Sequence, residues 1–205
     1  MKLILASSSR DRKQCFDLAH IPVEVIPSNF DEDTIDEHDP YQLVQRLALE
    51  KARVVQKLWE DERLETDGDA LIIGADTMVV YEGELIGKAK DPDHAFQILS
   101  SLIGKTHEII TGVAIIATET QEAKTFIDSS TVHFQDLSPE EIWDYINVTN
   151  EYAGRAGAYS LFERAALFID KLEGSPSNVL GIPMAAVREA LKSFGINLLH
   201  PNEDY

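Results

Sequence analysis

Cysteine occurs once in this chain, as Cys15, so no internal disulfide can form and a reducing compartment, the cytoplasm, fits. Set in an amphipathic stretch, Cys15 reads as core packing rather than as a nucleophile. Basic residues are also scarce: 18 Lys and Arg stand against 36 Asp and Glu, for a formal charge of −18. Such a surface repels long polyanions, which argues against a nucleic-acid polymer as the main partner. A small phosphorylated ligand stays admissible if a few basic side chains, backbone N–H groups and a bound cation compensate locally. No run approaches the roughly 20 apolar residues of a membrane-spanning helix, so no membrane partner is expected. The opening Met1-Lys2-Leu3-Ile4-Leu5-Ala6 is like the start of a secretory signal. Its apolar part is short, however, and Arg10-Asp11-Arg12-Lys13 follows at once, so a buried first strand is expected. The six histidines show no pair at metal-ligand spacing, which argues against zinc. A Gly-x-Ser-x-Gly elbow is missing, and so is the glycine–lysine–hydroxyl ending of a P-loop.

What is present alternates between strand-like and helix-like pieces, the pattern of an α/β fold with a mixed sheet. Lys2 to Ala6 reads as a strand, and Ser7-Ser8-Ser9 supplies N-cap candidates for a helix with Cys15, Phe16 and Leu18 on one side. Pro22 to Ile26 reads as a second strand. Pro40 opens a long helix whose apolar positions are Leu43, Val44, Leu47, Val54, Val55 and Leu58. Leu71-Ile72-Ile73 is a buried strand continued by Met78 to Tyr81, and Glu82-Gly83 turns the chain toward Leu85-Ile86. Asp91 to Leu102 is helical, with a stop at Gly104. Glu108 to Thr118 and Lys124 to Gln135 alternate as a β-hairpin. Ser138-Pro139-Glu140-Glu141 is a helix start, a strand is expected near Ala166 to Leu172, and Pro183 begins a last helix ending at Gly195.

Three groups of residues could carry chemistry. Ser7, Ser9, Arg12 and Lys13 follow a strand and open a helix, where free N–H groups, hydroxyls and positive charge suit phosphate; plain helix capping explains the same residues. Gly74-Ala75-Asp76-Thr77 places an acid where a buried strand ends, at the usual ligand mouth of an α/β sheet. A carboxylate there can hold Mg²⁺ or take a proton from water, or it can cap a turn. Lys51, Lys88 and Arg155 are spaced cations, and Glu32 lies in an acidic loop; each taken alone is an ordinary surface charge.

Taken in order, these segments resemble the Maf family of nucleoside triphosphate pyrophosphatases. The family's Leu-Ala-Ser-x-Ser-Pro-Arg-Arg opening corresponds to Leu5-Ala6-Ser7-Ser8-Ser9-Arg10-Asp11-Arg12, its Asp-Glu pair to Asp31-Glu32, and its lysine-bearing helix to Leu47-Ala48-Leu49-Glu50-Lys51-Ala52. Gly-Ala-Asp-Thr is intact at Gly74 to Thr77. Gly-Lys-Pro becomes Gly87-Lys88-Ala89, Gly-x-x-His is Gly104 to His107, and Thr111-Gly112-Val113 matches the next strand. Glu151 through Tyr159 matches the lysine–alanine–glycine–alanine–tyrosine region with Arg155 for lysine, and Asn178 to Pro183 matches the closing Val-x-Gly-Leu-Pro.

The resemblance implies a mixed β-sheet flanked by helices, as in Maf and inosine triphosphate pyrophosphatase-like proteins, in one domain over residues 1–205; it allows two lobes around a central cleft. It implies hydrolysis of nucleoside triphosphates to monophosphate and pyrophosphate with Mg²⁺ or Mn²⁺. Asp76 is then the proton acceptor, Lys51 and Lys88 act with it, and Glu32 and Asp76 are metal candidates. Asp11, Thr77 and Phe162 fall where base selection is made, and Asp11 and Phe162 depart from the arginine and glutamine of members selective for dTTP and UTP. They match the 7-methyl-GTP subfamily no better, so a broader or shifted substrate profile is expected. Two other readings stay open, a hydrolase of another phosphorylated metabolite and a catalytically weak binding or regulatory protein. Oligomeric state, a homodimer included, is open as well.

Overall fold

A computed structural model describes residues 1–63 and 68–199. The strands are β1 (Lys2–Leu5), β2 (Glu24–Val25), β3 (Ala70–Tyr81), β4 (Glu84–Ile86), β5 (Thr106–Ala117), β6 (Ala123–Phe134) and β7 (Ile169–Glu173). The helices are α1 (Arg10–Leu18), α2 (Pro40–Arg63), α3 (Pro92–Leu102), α4 (Pro139–Thr149), α5 (Pro176–Val179) and α6 (Met184–Lys192). The strands form a mixed sheet in the order β2-β1-β3-β5-β6-β7, with β4 paired to β3. The pairing of β1 with β2 and β3 is parallel, while β4 with β3 and β7 with β6 are antiparallel.

The chain divides into two compact units. The first comprises Met1–Asp76, Thr111–Asp128 and Gly181–Tyr205; the second comprises Thr77–Ile110 and Ser129–Leu180. In the first unit, Ile4, Ala6, Ala48, Ala52, Val55, Trp59, Ala70, Ile72, Ala114 and Ile116 form a core in which α2 covers the strands. The covering is very close at two glycines. A Cβ on Gly74 would stand 2.2 Å from the Ala48 carbonyl oxygen, and one on Gly112 would stand 2.3 Å from that of Val44. The buried face of α2 therefore runs Val44, Leu47, Ala48, Lys51, Ala52, Val55 and Trp59, a helical spacing that carries one lysine inward among small residues. Of the apolar positions expected on that face, Leu58 is instead exposed although it shares the angular stripe, and Leu18 of α1 is exposed as well.

In the second unit, α3 and α4 pack over the aromatic cluster His107, Phe134, Tyr145, Tyr159 and Phe168, whose rings meet edge to face at centroid distances of 4.7–5.5 Å. The start of α4 is a capping box: the Ser138 hydroxyl accepts from the Glu141 N–H, and the Glu141 carboxylate accepts from the Ser138 N–H. The Glu82-Gly83 turn has positive φ at both residues, 52° and 84°, which suits a tight hairpin. Two expectations need correction. The second strand shrinks to two residues, and the strand expected from Ala166 begins only at Ile169, because Arg164–Leu167 coils into a 3-10 turn with Leu167 exposed.

Candidate active site

The first unit gathers four charged side chains from distant parts of the chain. Lys51 points off the buried face of α2 with its side chain only 10% exposed, so its ammonium must find partners inside the protein. It donates to Asp76 Oδ1 at 2.5 Å and to Glu32 Oε1 at 2.6 Å. Asp76 is buried at 6% exposure, two residues after the glycine that lets α2 approach; it lies in the middle of β3 and not at a strand end as expected, because the chain stays extended from Ala70 to Tyr81. Glu32 opens a 3-10 turn, Glu32–Thr34, capped by the Asp31 side chain, which accepts from the Asp33 N–H. Burial pushes the Asp76 carboxyl above its ordinary value; Lys51 and Arg12 pull the other way, and Glu32 adds to the upward push. A carboxylate with a raised affinity for protons, held by an ammonium, is suited to accept one from water.

The second element of the site is the start of α1. Ser9 caps the helix, its hydroxyl accepting from the Arg12 N–H at 3.4 Å. The buried Ser7 hydroxyl accepts from the Ser9 N–H at 3.1 Å and from Arg12 Nη1 at 3.0 Å. Arg12 Nε donates to the Gly181 carbonyl oxygen at 2.7 Å, so the segment before α6 fixes the guanidinium plane. Burial lowers the Arg12 pKa against the attraction of Asp76, Glu32 and Asp11, and the group stays cationic. Two cations and two carboxylates thus share one neighbourhood with no formal net charge. An incoming polyphosphate needs a further cation there.

The structure brings Ser7, Ser9, Arg12, Glu32, Lys51 and Asp76 together in the first unit. Lys13 does not join them: it ion-pairs with Asp17 one turn along the surface of α1. Asp11 is half-buried. Thr77, Lys88 and Phe162 belong to the second unit. There Lys88 is exposed and bridges Ala156 through its backbone, and Phe162 is 65% exposed. Sequence reasoning missed the role of Gly181, whose signal was present as the Asn178-to-Pro183 motif but carried no side chain to suggest a contact.

The donor set bears on a metal. Among the described residues, no cluster of three or more His, Cys, Asp or Glu could hold an ion. Glu32 and Asp76 are two carboxylates sharing a single ammonium, which is the kind of donor set that holds Mg²⁺ or Mn²⁺ together with substrate phosphates and waters, and it is unlike an all-protein cage. The residues fit a divalent ion bound with its substrate.

An α/β scaffold with a buried carboxylate–ammonium pair beside a hydroxyl- and arginine-bearing helix start is a protein equipped for a phosphorylated small molecule. The sequence profile of the Maf-like protein family matches residues 2–194, and the chain belongs to that family. Similar proteins include the dTTP/UTP pyrophosphatase of Bacillus cereus (strain B4264), 37% identical over 199 residues that make up 97% of this chain and 98% of that one. The dTTP/UTP pyrophosphatase of Geobacillus sp. (strain WCH70) is 39% identical over 194 residues, 95% of this chain and 98% of that one. A solved nucleoside-triphosphatase / dITP/XTP pyrophosphatase from Mycobacterium abscessus is 14% identical, with a TM-score of 0.37 over 67% of this chain and 76% of that one, too distant a likeness to carry weight.

Proposed function

We propose that this chain hydrolyses nucleoside triphosphates to the monophosphate and pyrophosphate, working as one Maf-like domain over residues 1–205. The observation that carries the reading is the buried Asp76 carboxylate held by Lys51 within a family whose relatives at 37–39% identity are named dTTP/UTP pyrophosphatases. Water attacks the α-phosphorus, its proton passes to Asp76, and the bond to the bridging oxygen breaks so that the β- and γ-phosphates leave as pyrophosphate. Asp76 works as an anion, and Lys51 favours that form against burial. Arg12, aimed by Ser7 and Gly181, faces the negative charge of the phosphates. Lys88 takes a share of that charge by its place in the family pattern. A divalent ion, Mg²⁺ or Mn²⁺, held by Glu32 and Asp76 would neutralise phosphate oxygens and polarise the reacting group.

The substrate profile is broad or shifted, with action on pyrimidine triphosphates, dTTP and UTP among them, but no strict selection for those two. Asp11 can accept from an amino or imino edge, and Phe162 offers a stacking face without a donor, so neither imitates the arginine and glutamine of selective members. The test is pyrophosphate and monophosphate release measured over the eight common triphosphates with MgCl₂ and with MnCl₂. Turnover of dTTP and UTP with pyrophosphate as product is the expected result. Release of orthophosphate instead, or no turnover of any triphosphate, would sink the reading and favour a binding role.

A further inference from the structure

The second unit contains a buried acid to which the reaction above gives no role. Glu151 follows directly on the C-terminus of α4, where Asn150 adopts a left-handed conformation that turns the chain inward. The side chain of Glu151 is buried at 5% exposure and collects three donors. Tyr145 Oη donates to Oε2 at 2.8 Å, the Arg164 N–H to Oε1 at 2.9 Å, and the Ala165 N–H to Oε2 at 3.4 Å. Burial, and then the bond to Glu151, push the Tyr145 hydroxyl far above its ordinary pKa, so it remains a donor at every working pH. One carboxylate therefore ties the end of α4 to the 3-10 turn thirteen residues later, closing the intervening segment into a loop.

That loop is not one the chain would hold unaided. Gly154, Gly157 and the non-glycine Ala158 all sit at positive φ, 76°, 72° and 63°. A left-handed alanine persists only where its surroundings impose it. The loop carries Arg155, which donates to the Glu151 carbonyl oxygen at 3.1 Å and forks onto Glu163. It carries Phe162 as well. Along its outer edge Ala153 and Ala156 form backbone bridges to Ala89 and Lys88. The backbone of Lys88 is thus paired with a loop whose two ends meet on the Glu151 carboxylate.

We propose that Glu151 is a positioning residue for nucleotide binding, acting through this loop on Lys88 and Phe162; the inference rests on the triphosphate hydrolysis proposed above. Glu151→Gln keeps the size of the side chain but loses the charge, and it turns an NH₂ group toward one of the three donors. The expected result with dTTP and MgCl₂ is a KM raised by about 10-fold with kcat held within about 3-fold, because a mis-set loop weakens binding in every folded molecule. A purely structural role would do the opposite, lowering apparent kcat with the folded fraction and leaving KM alone, and that result would overturn the proposal. Lys88→Ala supplies a second arm. In the Glu151→Gln background it should cost no more than about a third of its wild-type effect on kcat/KM. Fully additive losses would show that Glu151 does not act through Lys88. If Glu151→Gln does not fold, Tyr145→Phe removes only one of the three donors, and a KM raised by about 3-fold at unchanged melting temperature is then expected; an unmoved KM overturns the proposal. No turnover by the wild type would overturn the hydrolase reading and this inference with it, whereas wild-type turnover with unmoved KM in both variants overturns this inference alone.

Discussion

At the scale of single residues, the site is a balance between burial and charge. Asp76 is exposed to so little water that its carboxyl titrates above the ordinary aspartate range despite the Lys51 ammonium at 2.5 Å. Asp76→Asn keeps the shape but cannot accept a proton at neutral pH, so triphosphate cleavage should fall by about 10²-fold or more with an unchanged circular dichroism spectrum. Wild-type rates in that variant would remove Asp76 from the reaction. Lys51 leads to a less obvious expectation. Its ammonium already satisfies both carboxylates that a divalent ion would use, so ion and ammonium compete for them when no nucleotide is present. Lys51→Met should therefore bind Mn²⁺ about 10-fold more tightly than wild type, read by electron paramagnetic resonance of free Mn²⁺, while losing most of its kcat/KM. Equal or weaker binding would show that Glu32 and Asp76 are not the ligands.

At the scale of elements, two packing features matter beyond their own neighbourhoods. Helix α2 carries Lys51 into the site only because Gly74 leaves room for its backbone. Gly74→Ala would drive a methyl into the Ala48 carbonyl, and α2 would have to move away from β3. We expect a loss of about 2–3 kcal/mol in urea unfolding, together with a fall in activity larger than the loss of folded protein, since Lys51 shifts with the helix. The second feature is His107 on β5, 2% exposed, which shares a 2.8 Å hydrogen bond with the Tyr159 hydroxyl while its Nδ1 has no hydrogen-bond partner among the described residues. Burial holds its pKa down at about 4, against 6.5 for an ordinary histidine. The unfolded chain takes up this proton as pH falls below 6.5 and the folded chain does not until about 4. Stability from His107 is thus complete above 6.5 and drains away as pH falls toward 4, by on the order of 3 kcal/mol. Replacing His107 with Phe should flatten that part of the stability–pH curve, measured by urea midpoints between pH 7 and pH 4. An identical slope in the variant would assign the acid sensitivity elsewhere.

At the scale of the whole molecule, substrate choice is the property to test, and the family pattern directs the test to Asp11 and Phe162. The double change Asp11→Arg with Phe162→Gln should shift relative kcat/KM toward dTTP and UTP by about 1–3 kcal/mol over the other triphosphates. A wild-type enzyme already strict for those two, and unmoved by the change, would mean that neither side chain meets the base. The charge of −18 belongs to this scale too, and the formally neutral neighbourhood of Arg12, Lys51, Glu32 and Asp76 does not offset it.

Much of the architecture is local in origin and was legible without coordinates. The Ser138–Glu141 box, the Glu82-Gly83 turn, the apolar run Leu71-Ile72-Ile73 and the proline starts of α2 and α4 each act within a few residues, so reading along the chain finds them. The family pattern, too, lay in the order of its motifs. What the chain could not announce depends on which distant pieces touch. Leu18 and Leu58 follow helical spacing yet face water, because which stretch of a helix is covered is decided by the layer laid over it. Lys51 reads as any helix lysine until packing at Gly74 turns its face inward. The Gly181 carbonyl that aims Arg12 lies 169 residues away along the chain and offers no side chain to notice. The amino-acid order by itself determined the elements and the kind of chemistry available. Only the tertiary structure decided which charges are buried together, because that depends on removing water from groups that the chain keeps far apart.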